Sequence, residues 1–360
     1  MADGAASRSV AEAVETLADH TTLRLGGPAG SWVTATNEAE LIEAIAAADA
    51  VGDEVLVLGG GSNLVVADEG FEGTVVEVAT RGVLSDHEGD DPTCGGALVT
   101  VAAGERWDDV VATAVERGWV GLEALSGIPG STGATPIQNV GAYGQDVSQT
   151  IAQVRVWDRL LRGIRTFTAA DCRFGYRSSR FKADRFDPWS GRHVVLSVTF
   201  QLRVGTLSAP IAYAELARTL GVEIGQRAPL ADVRRAVLEL RRGKGMVLDP
   251  ADHDTWSAGS FFTNPVVDPT RVPEGAPAWP QPDGSVKTSA AWLIEHAGFA
   301  KGYPGSGPVS LSTKHTLALT NRGGAKTADL LLLAREIRDG VAARFDIELV
   351  NEPVMLGVSL

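Results

Sequence analysis

Glu54-Val55-Leu56-Val57-Leu58-Gly59-Gly60-Gly61-Ser62-Asn63 runs an apolar segment directly into three consecutive glycines. Residues 54–58 read as a strand, and the glycines that follow open a loop at its end. With no Cβ in the way, such a loop brings backbone N–H groups close to an anion, which suits a phosphate. The same residues also make an ordinary tight turn. The stretch is not the G-x-G-x-x-G dinucleotide fingerprint, because Leu64 stands where the last glycine belongs, and it is not a P-loop, because no Lys-Ser/Thr follows.

Working outward, residues 22–33 read as extended with a turn at Gly26-Gly27-Pro28, and 38–50 as an amphipathic helix. Strand signals return at 64–66, 74–78 and 97–103, followed by a helix over 106–117. Residues 121–144 hold six glycines and little periodicity, yet Ile128, Ile137 and Val140 argue that this long loop packs around something. A hairpin over 151–157 and 165–168, a β-branched strand over 193–202, and helices over 210–220 and 230–242 come next. The Pro/Gly/Asp-rich 268–284 reads as a surface connection. Helices over 289–297 and 327–345, the second with an apolar stripe through Leu330, Leu333, Ile337 and Val341, precede a terminal strand over 347–356. The expected class is α+β, with a domain boundary in 240–258.

The 360-residue length favours two or three domains. A net charge of −13 argues against tracking a nucleic-acid backbone but permits one phosphorylated small molecule held by a few local donors. Cys94 and Cys172 form no C-x-x-C pair, so no disulfide framework and no metal site is expected, and a reducing cytoplasm fits. Residues 1–20 lack the basic and apolar regions of an export signal, and apolar runs such as 330–334 fall far short of the roughly 20 residues that span a bilayer. No membrane partner is expected.

A second glycine stretch, Gly127-Ile128-Pro129-Gly130-Ser131-Thr132-Gly133, adds backbone donors and small hydroxyls. Two such loops suit a dinucleotide cofactor, or are two structural loops. Arg177, in Phe174-Gly175-Tyr176-Arg177-Ser178-Ser179, stands among aromatic and small residues and needs an anion, either a ligand or one of the chain's own acids. Ser260, in Ala258-Gly259-Ser260-Phe261-Phe262, has no His or Asp beside it to mark a hydrolase triad and reads on its own as a turn hydroxyl. Glu352, before Pro353, reads on its own as a solvated carboxylate.

Taken in order, 58–63, 128–144, 172–178, 258–265 and the region of Glu352 resemble the MurB family of UDP-N-acetylenolpyruvoylglucosamine reductases. The likeness extends over about 22–357. It is most specific at Pro136-Ile137-Gln138-Asn139-Val140-Gly141-Ala142-Tyr143-Gly144 and at Gly259-Ser260-Phe261-Phe262-Thr263-Asn264-Pro265.

The resemblance implies an FAD-binding fold of the vanillyl-alcohol oxidase class in two subdomains, 1–82 and 83–235, plus an α+β substrate-binding domain over 236–349. The terminal 350–360 would pack back on the first subdomain. By position, Leu58, Gly59, Gly60, Gly61, Ser62 and Asn63, with Ile128, Pro129, Gly130, Ser131, Thr132, Gly133, Ile137 and Gly141, would hold the pyrophosphate and flavin of FAD. Tyr143, Tyr213, Lys244 and Asn264 would meet the substrate, Tyr213 matching the tyrosine-bearing loop of the type I branch. The implied reaction reduces UDP-N-acetylglucosamine enolpyruvate to UDP-N-acetylmuramate with NADPH as hydride donor, a step of peptidoglycan synthesis and hence of cell-wall growth and division.

Within that reaction, Arg177 would stabilise charge on the substrate carboxylate, Ser260 would protonate C2, and Glu352 would polarise the site. Here the resemblance departs at one place: the family's Glu-Pro-Glu-Val becomes Asn351-Glu352-Pro353-Val354, which leaves Glu348 as a rival to Glu352. An FAD-dependent oxidase of the same fold class and a non-catalytic flavin or nucleotide-sugar binder are the competing functions. A monomer is favoured.

Overall fold

The computed structural model describes residues 15–87 and 96–360, so that most of the polar leader and Cys94 lie outside the described residues. Near the N-terminus, strands Ala29–Ala35, Phe71–Val78 and Val55–Leu58 form a parallel sheet with Phe71–Val78 in the centre. Helix Glu38–Val51 crosses between strands and buries Leu41, Ile45 and Ala48. Asn37 caps it by accepting the Glu40 N–H at 3.0 Å, and Gly52 ends it at φ 73°, a left-handed conformation that favours glycine.

A second, antiparallel sheet is built around the long strand His193–Val204, which lies between Ile151–Asp158 and Gly96–Ala102. Gly163–Thr168 and Val83–His87 take the edges. The central strand reads as a nearly continuous apolar run because both its faces are covered. Phe200 and Val198 pack on one side with Trp107 and Val111 of helix Trp107–Glu116, while Val194 and Leu196 join Leu41, Ile45 and Val55 on the other. Each fully buried aromatic here, such as Trp107 and Phe200, contributes about 1.5–3 kcal/mol by leaving water. Ion pairs from Arg155 to Glu38 and from the buried Arg159 to Asp49 tie the antiparallel sheet to the helix.

Helices Ala290–His296 and Thr327–Phe345 and the hairpin Val309–Leu311/Leu319–Asn321 share a third core, which also takes in Leu23, Leu25 and Val65. Strand Val354–Leu356 leaves this region and pairs in parallel with Leu64–Val66.

Three expectations change. The helix expected over 210–220 begins only at Ala214, because Ile211 is held in backbone hydrogen bonds with Gln226 and Gly225. The expected connection over 268–284 contains strand Ala278–Pro280, part of a small sheet with Val286–Thr288 and Val266–Val267. The terminal strand is regular only at Val354–Leu356. Before Pro353, which has no N–H to give a ladder, the chain pairs elsewhere: Thr263 N–H donates to Val350 O and Glu352 N–H to Phe261 O.

Candidate active site

A cavity of about 590 Å³ lies where the two sheets and the C-terminal region meet. Its apolar walls include Leu56, Val57, Val78, Ala103, Val194 and Val195. The two glycine loops form one side in mutual contact. A Cβ added to Gly60 would stand 2.7 Å from the Gly130 Cα, and one on Gly59 would stand 2.3 Å from Ser131 Oγ. Ser62 Oγ donates to Pro129 O at 3.2 Å, and Gly130 sits at φ +115°. The glycines therefore let the two loops pack backbone to backbone beside the cavity, and glycine-rich backbone of this kind can offer N–H groups to a diphosphate.

Arg177 also lines the cavity, and with Tyr176 it forms the tip of a tight turn closed by reciprocal backbone hydrogen bonds between Gly175 and Ser178. Arg177 adopts φ 50° there, a conformation costing a non-glycine residue on the order of 1 kcal/mol or more, and the surroundings hold it. Asn139 Nδ2 donates to Gly175 O at 3.0 Å and Ser179 Oγ to Ile137 O at 2.7 Å, docking the turn on the glycine-rich loop. Arg177 Nε lies 2.8 Å from Glu352 Oε1, although this N–H does not point along a hydrogen-bond line, so the contact is ionic. Gln138 Nε2 donates to the same oxygen at 2.9 Å, while Lys182 Nζ donates to Gln138 Oε1 at 2.9 Å and to Arg177 O at 3.0 Å. Burial pulls the Lys182 amine below its ordinary value, against the opposing pull of Glu352.

Ser260 also lines the cavity. The segment after it is fixed by the pairing of 261–263 with 350–352, and this pairing places Ser260 and Glu352 in one wall. Among the described residues nothing hydrogen-bonds the Ser260 hydroxyl.

At the other end, Tyr143 and Tyr213 meet edge to face with ring centroids 5.5 Å apart, and Lys244 Nζ lies 5.5 Å from the Tyr143 ring. Lys244 is paired with Glu215 at 2.5 Å. Burial pushes the Tyr143 phenol above its ordinary value, against Lys244 and Arg241. Beneath them Arg241 is buried, its guanidinium lowered to about 10 by loss of water, with Nη2 on Met246 O at 2.9 Å.

Residues 30–160 match a family described as FAD binding domain, and residues 249–356 match UDP-N-acetylenolpyruvoylglucosamine reductase, C-terminal domain. UDP-N-acetylenolpyruvoylglucosamine reductase of Cutibacterium acnes is 58% identical over 96% of this chain and 90% of that protein. The protein of the same name from Thermobifida fusca is 59% identical over 96% of this chain and 97% of its own length. This chain belongs to the UDP-N-acetylenolpyruvoylglucosamine reductase family. The crystal structure of the MurB reductase from Thermus caldophilus is similar over 96% of this chain and 99% of that one, with a TM-score of 0.62 at 25% identity. The FAD-binding fold and the α+β C-terminal domain are thus those of the family.

The structure brings every expected MurB site residue to this cavity except Thr132 and Asn264. Thr132 is buried behind the loop, its hydroxyl donating to Glu105 O at 3.1 Å. Asn264 Oδ1 accepts the Ala290 N–H at 3.0 Å, and its side chain meets the Tyr176 phenol. Glu348 is exposed and is not among the lining residues, whereas Glu352 is. Gln138, Lys182, Arg241 and His315 join the site without having been singled out. Gln138 carried a signal, since it lies inside the most specific motif; the other three are visible only once the chain is folded.

Proposed function

We propose that this protein reduces UDP-N-acetylglucosamine enolpyruvate to UDP-N-acetylmuramate with NADPH and bound FAD, the reaction for which its family is named. The reading is carried by one arrangement: the Arg177–Glu352 pair and the free Ser260 hydroxyl face a single cavity with the two glycine loops. FAD, when bound, supplies the relay that accepts hydride from the nicotinamide and gives it to the substrate. Gly59, Gly60, Gly61, Ser62 and Asn63, with Ile128, Pro129, Gly130, Ser131 and Gly133, would hold its diphosphate and ribityl chain, and Ile137 and Gly141 its ring.

Addition of hydride to C3 of the enolpyruvyl ether leaves negative charge at C2 and on the adjoining carboxylate. Arg177, always cationic, offers that charge a preorganised partner. Glu352 and Gln138 keep the guanidinium from swinging away. Ser260 Oγ gives its proton to C2, completing addition of one hydride and one proton, and recovers a proton from solvent. Tyr143, Tyr213 and Lys244 bind the nucleotide sugar at the far end, where Lys244 offsets phosphate charge. Asn264, turned toward Ala290 and Tyr176, would reach substrate only after its side chain rotates.

The same reading divides the chain into 1–82, 83–235 and 236–349, with 350–360 returning to the first unit as the pairing of Val354–Leu356 with Leu64–Val66 suggests. We place it in the cytoplasm as a monomer. No helix among the described residues is long and apolar enough to cross a membrane.

The test is a single-turnover absorbance trace. Protein reduced anaerobically with NADPH should regain the oxidised flavin spectrum rapidly on mixing with the enolpyruvyl sugar nucleotide and form UDP-N-acetylmuramate. Flavin that is reduced but not reoxidised by this substrate defeats the substrate assignment.

A further inference from the structure

Lys182 lies on the short helix Arg180–Ala183 and lines the same cavity as Arg177 and Glu352. Ser179 fixes this helix to the glycine-rich loop, its Oγ accepting the Lys182 N–H at 3.4 Å and donating to Ile137 O at 2.7 Å. From that anchored position the amine makes two bonds, to Gln138 Oε1 at 2.9 Å and to Arg177 O at 3.0 Å. Both acceptors serve the same ion pair. Gln138 Nε2 donates to Glu352 Oε1 at 2.9 Å, and the Arg177 carbonyl belongs to a residue held at φ 50°.

A glutamine amide is nearly symmetric in shape and strongly asymmetric in charge. Turned one way it offers Glu352 a donor; turned the other way it sets an oxygen against a carboxylate. Lys182, which can only donate, makes the choice by binding Oε1 and leaving Nε2 for Glu352. An ammonium is not a cheap group to place here. Burial, Arg185 and Arg177 lower its proton affinity, and Glu352 opposes them. An uncharged side chain of the same length would fill the space without that cost, so the two bonds are what set the amine apart.

We infer that Lys182 is a positioning residue for the reductive step: by orienting the Gln138 amide and bracing the Arg177 backbone, it keeps Glu352 and the guanidinium in the geometry that meets charge developing on the substrate carboxylate. The inference rests on the substrate reading above and adds to it a residue that acts through two others. Because aligned charge counts for more in the transition state than in the ground state, Lys182 governs the rate of the step more than the affinity for substrate.

The experiment uses FAD-loaded protein and Lys182→Met, which keeps the length of the side chain and removes its charge and its donors. Reoxidation of the reduced flavin by UDP-N-acetylglucosamine enolpyruvate should slow by roughly tenfold or more, in the limiting rate rather than in the substrate concentration that gives half of it, while reduction by NADPH stays within about twofold of wild type. Gln138→Leu should slow the same step. The double variant should be little slower than the worse single one, because both changes act through one amide. A second readout needs no turnover: with glutamine side chains isotopically labelled, the amide signal missing from Gln138→Leu should exchange its protons with solvent faster in Lys182→Met. Where Lys182→Met does not hold FAD, Lys182→Arg, which keeps the charge and moves the donors, takes its place in the same cycle and is read in the same way. Losses that multiply in the double variant, an unchanged Gln138 amide, or equal losses in the two half-reactions each overturn the role of Lys182 and leave the function intact. A wild-type flavin that this substrate does not reoxidise overturns the substrate reading and this inference together.

Discussion

Arg177 and Glu352 stand as an ion pair, Nε 2.8 Å from Oε1, with Gln138 bound to the same carboxylate oxygen and Lys182 behind it. The guanidinium is thereby aimed before substrate arrives. Arg177→Lys loses the planar fork and should slow substrate-driven flavin reoxidation by roughly 10²-fold or more, with flavin reduction by NADPH little changed. Glu352→Gln keeps the shape and removes the charge, so it should slow the same half-reaction. Because both changes act on one guanidinium, the double variant should lose less than the sum of the two losses. Stopped-flow traces of each half-reaction decide it, and strict additivity would show that the pair does not act as a unit.

Ser260 is the cavity hydroxyl assigned to protonate C2, and no neighbour among the described residues competes for it. Ser260→Ala should leave reduction by NADPH near normal and depress reoxidation by the enolpyruvyl substrate by about 10²–10⁴-fold. Equal losses in the two half-reactions would remove its assignment as proton donor.

Gly60 and Gly130 allow the two loops to touch, and a methyl group on Gly60 would press on backbone atoms at 2.7 and 3.0 Å. Since backbone cannot swing aside as a side chain can, Gly60→Ala should part the loops and weaken FAD binding. The purified variant should carry much less flavin by its visible absorbance while keeping a near-native far-ultraviolet circular dichroism spectrum. Full flavin content would mean that the loops do not form the cofactor cradle.

Asp254 accepts from the Thr313 N–H and hydroxyl and pairs with Arg322 at 2.8 Å. Burial opposes its charge, but the Thr313 bonds and Arg322 outweigh burial and hold the carboxyl below its ordinary value. A carboxyl lowered in the folded state stabilises the protein above the unfolded value, about 3.9, and that stability is lost as pH falls through the folded value. Asp254→Asn should cost about 3 kcal/mol at neutral pH and flatten the acid limb of melting temperature against pH. An unchanged acid limb would show that another group dominates there.

Local chemistry was enough for much of this architecture. The helices at Glu38–Val51, Trp107–Glu116 and Thr327–Phe345 and the hairpin at 151–168 follow from periodicity, caps and β-branched runs, which act over a few residues. The two glycine loops were legible as anion sites, and their combination with the Ser260 and Arg177 motifs pointed to the family. Signals that depend on distant partners were not. The strand Ala278–Pro280 exists because Val286–Thr288 lies beside it, and Ile211 leaves a helical pattern because Gln226 and Gly225 claim its backbone.

The amino-acid sequence by itself determined the reductase family, the flavin-binding class and the residue types at the site, because each is written in short motifs whose chemistry is local. Only the tertiary structure showed which of Glu352 and Glu348 lines the cavity. The segment 350–352 pairs with 261–263 before Pro353 interrupts the ladder, and that register turns Glu352 toward Arg177 while Glu348 faces solvent. The same holds for His315 and Arg241: each is an ordinary residue in sequence, and becomes part of the site only when folding brings both to one cavity, where loss of water lowers the proton affinity of each.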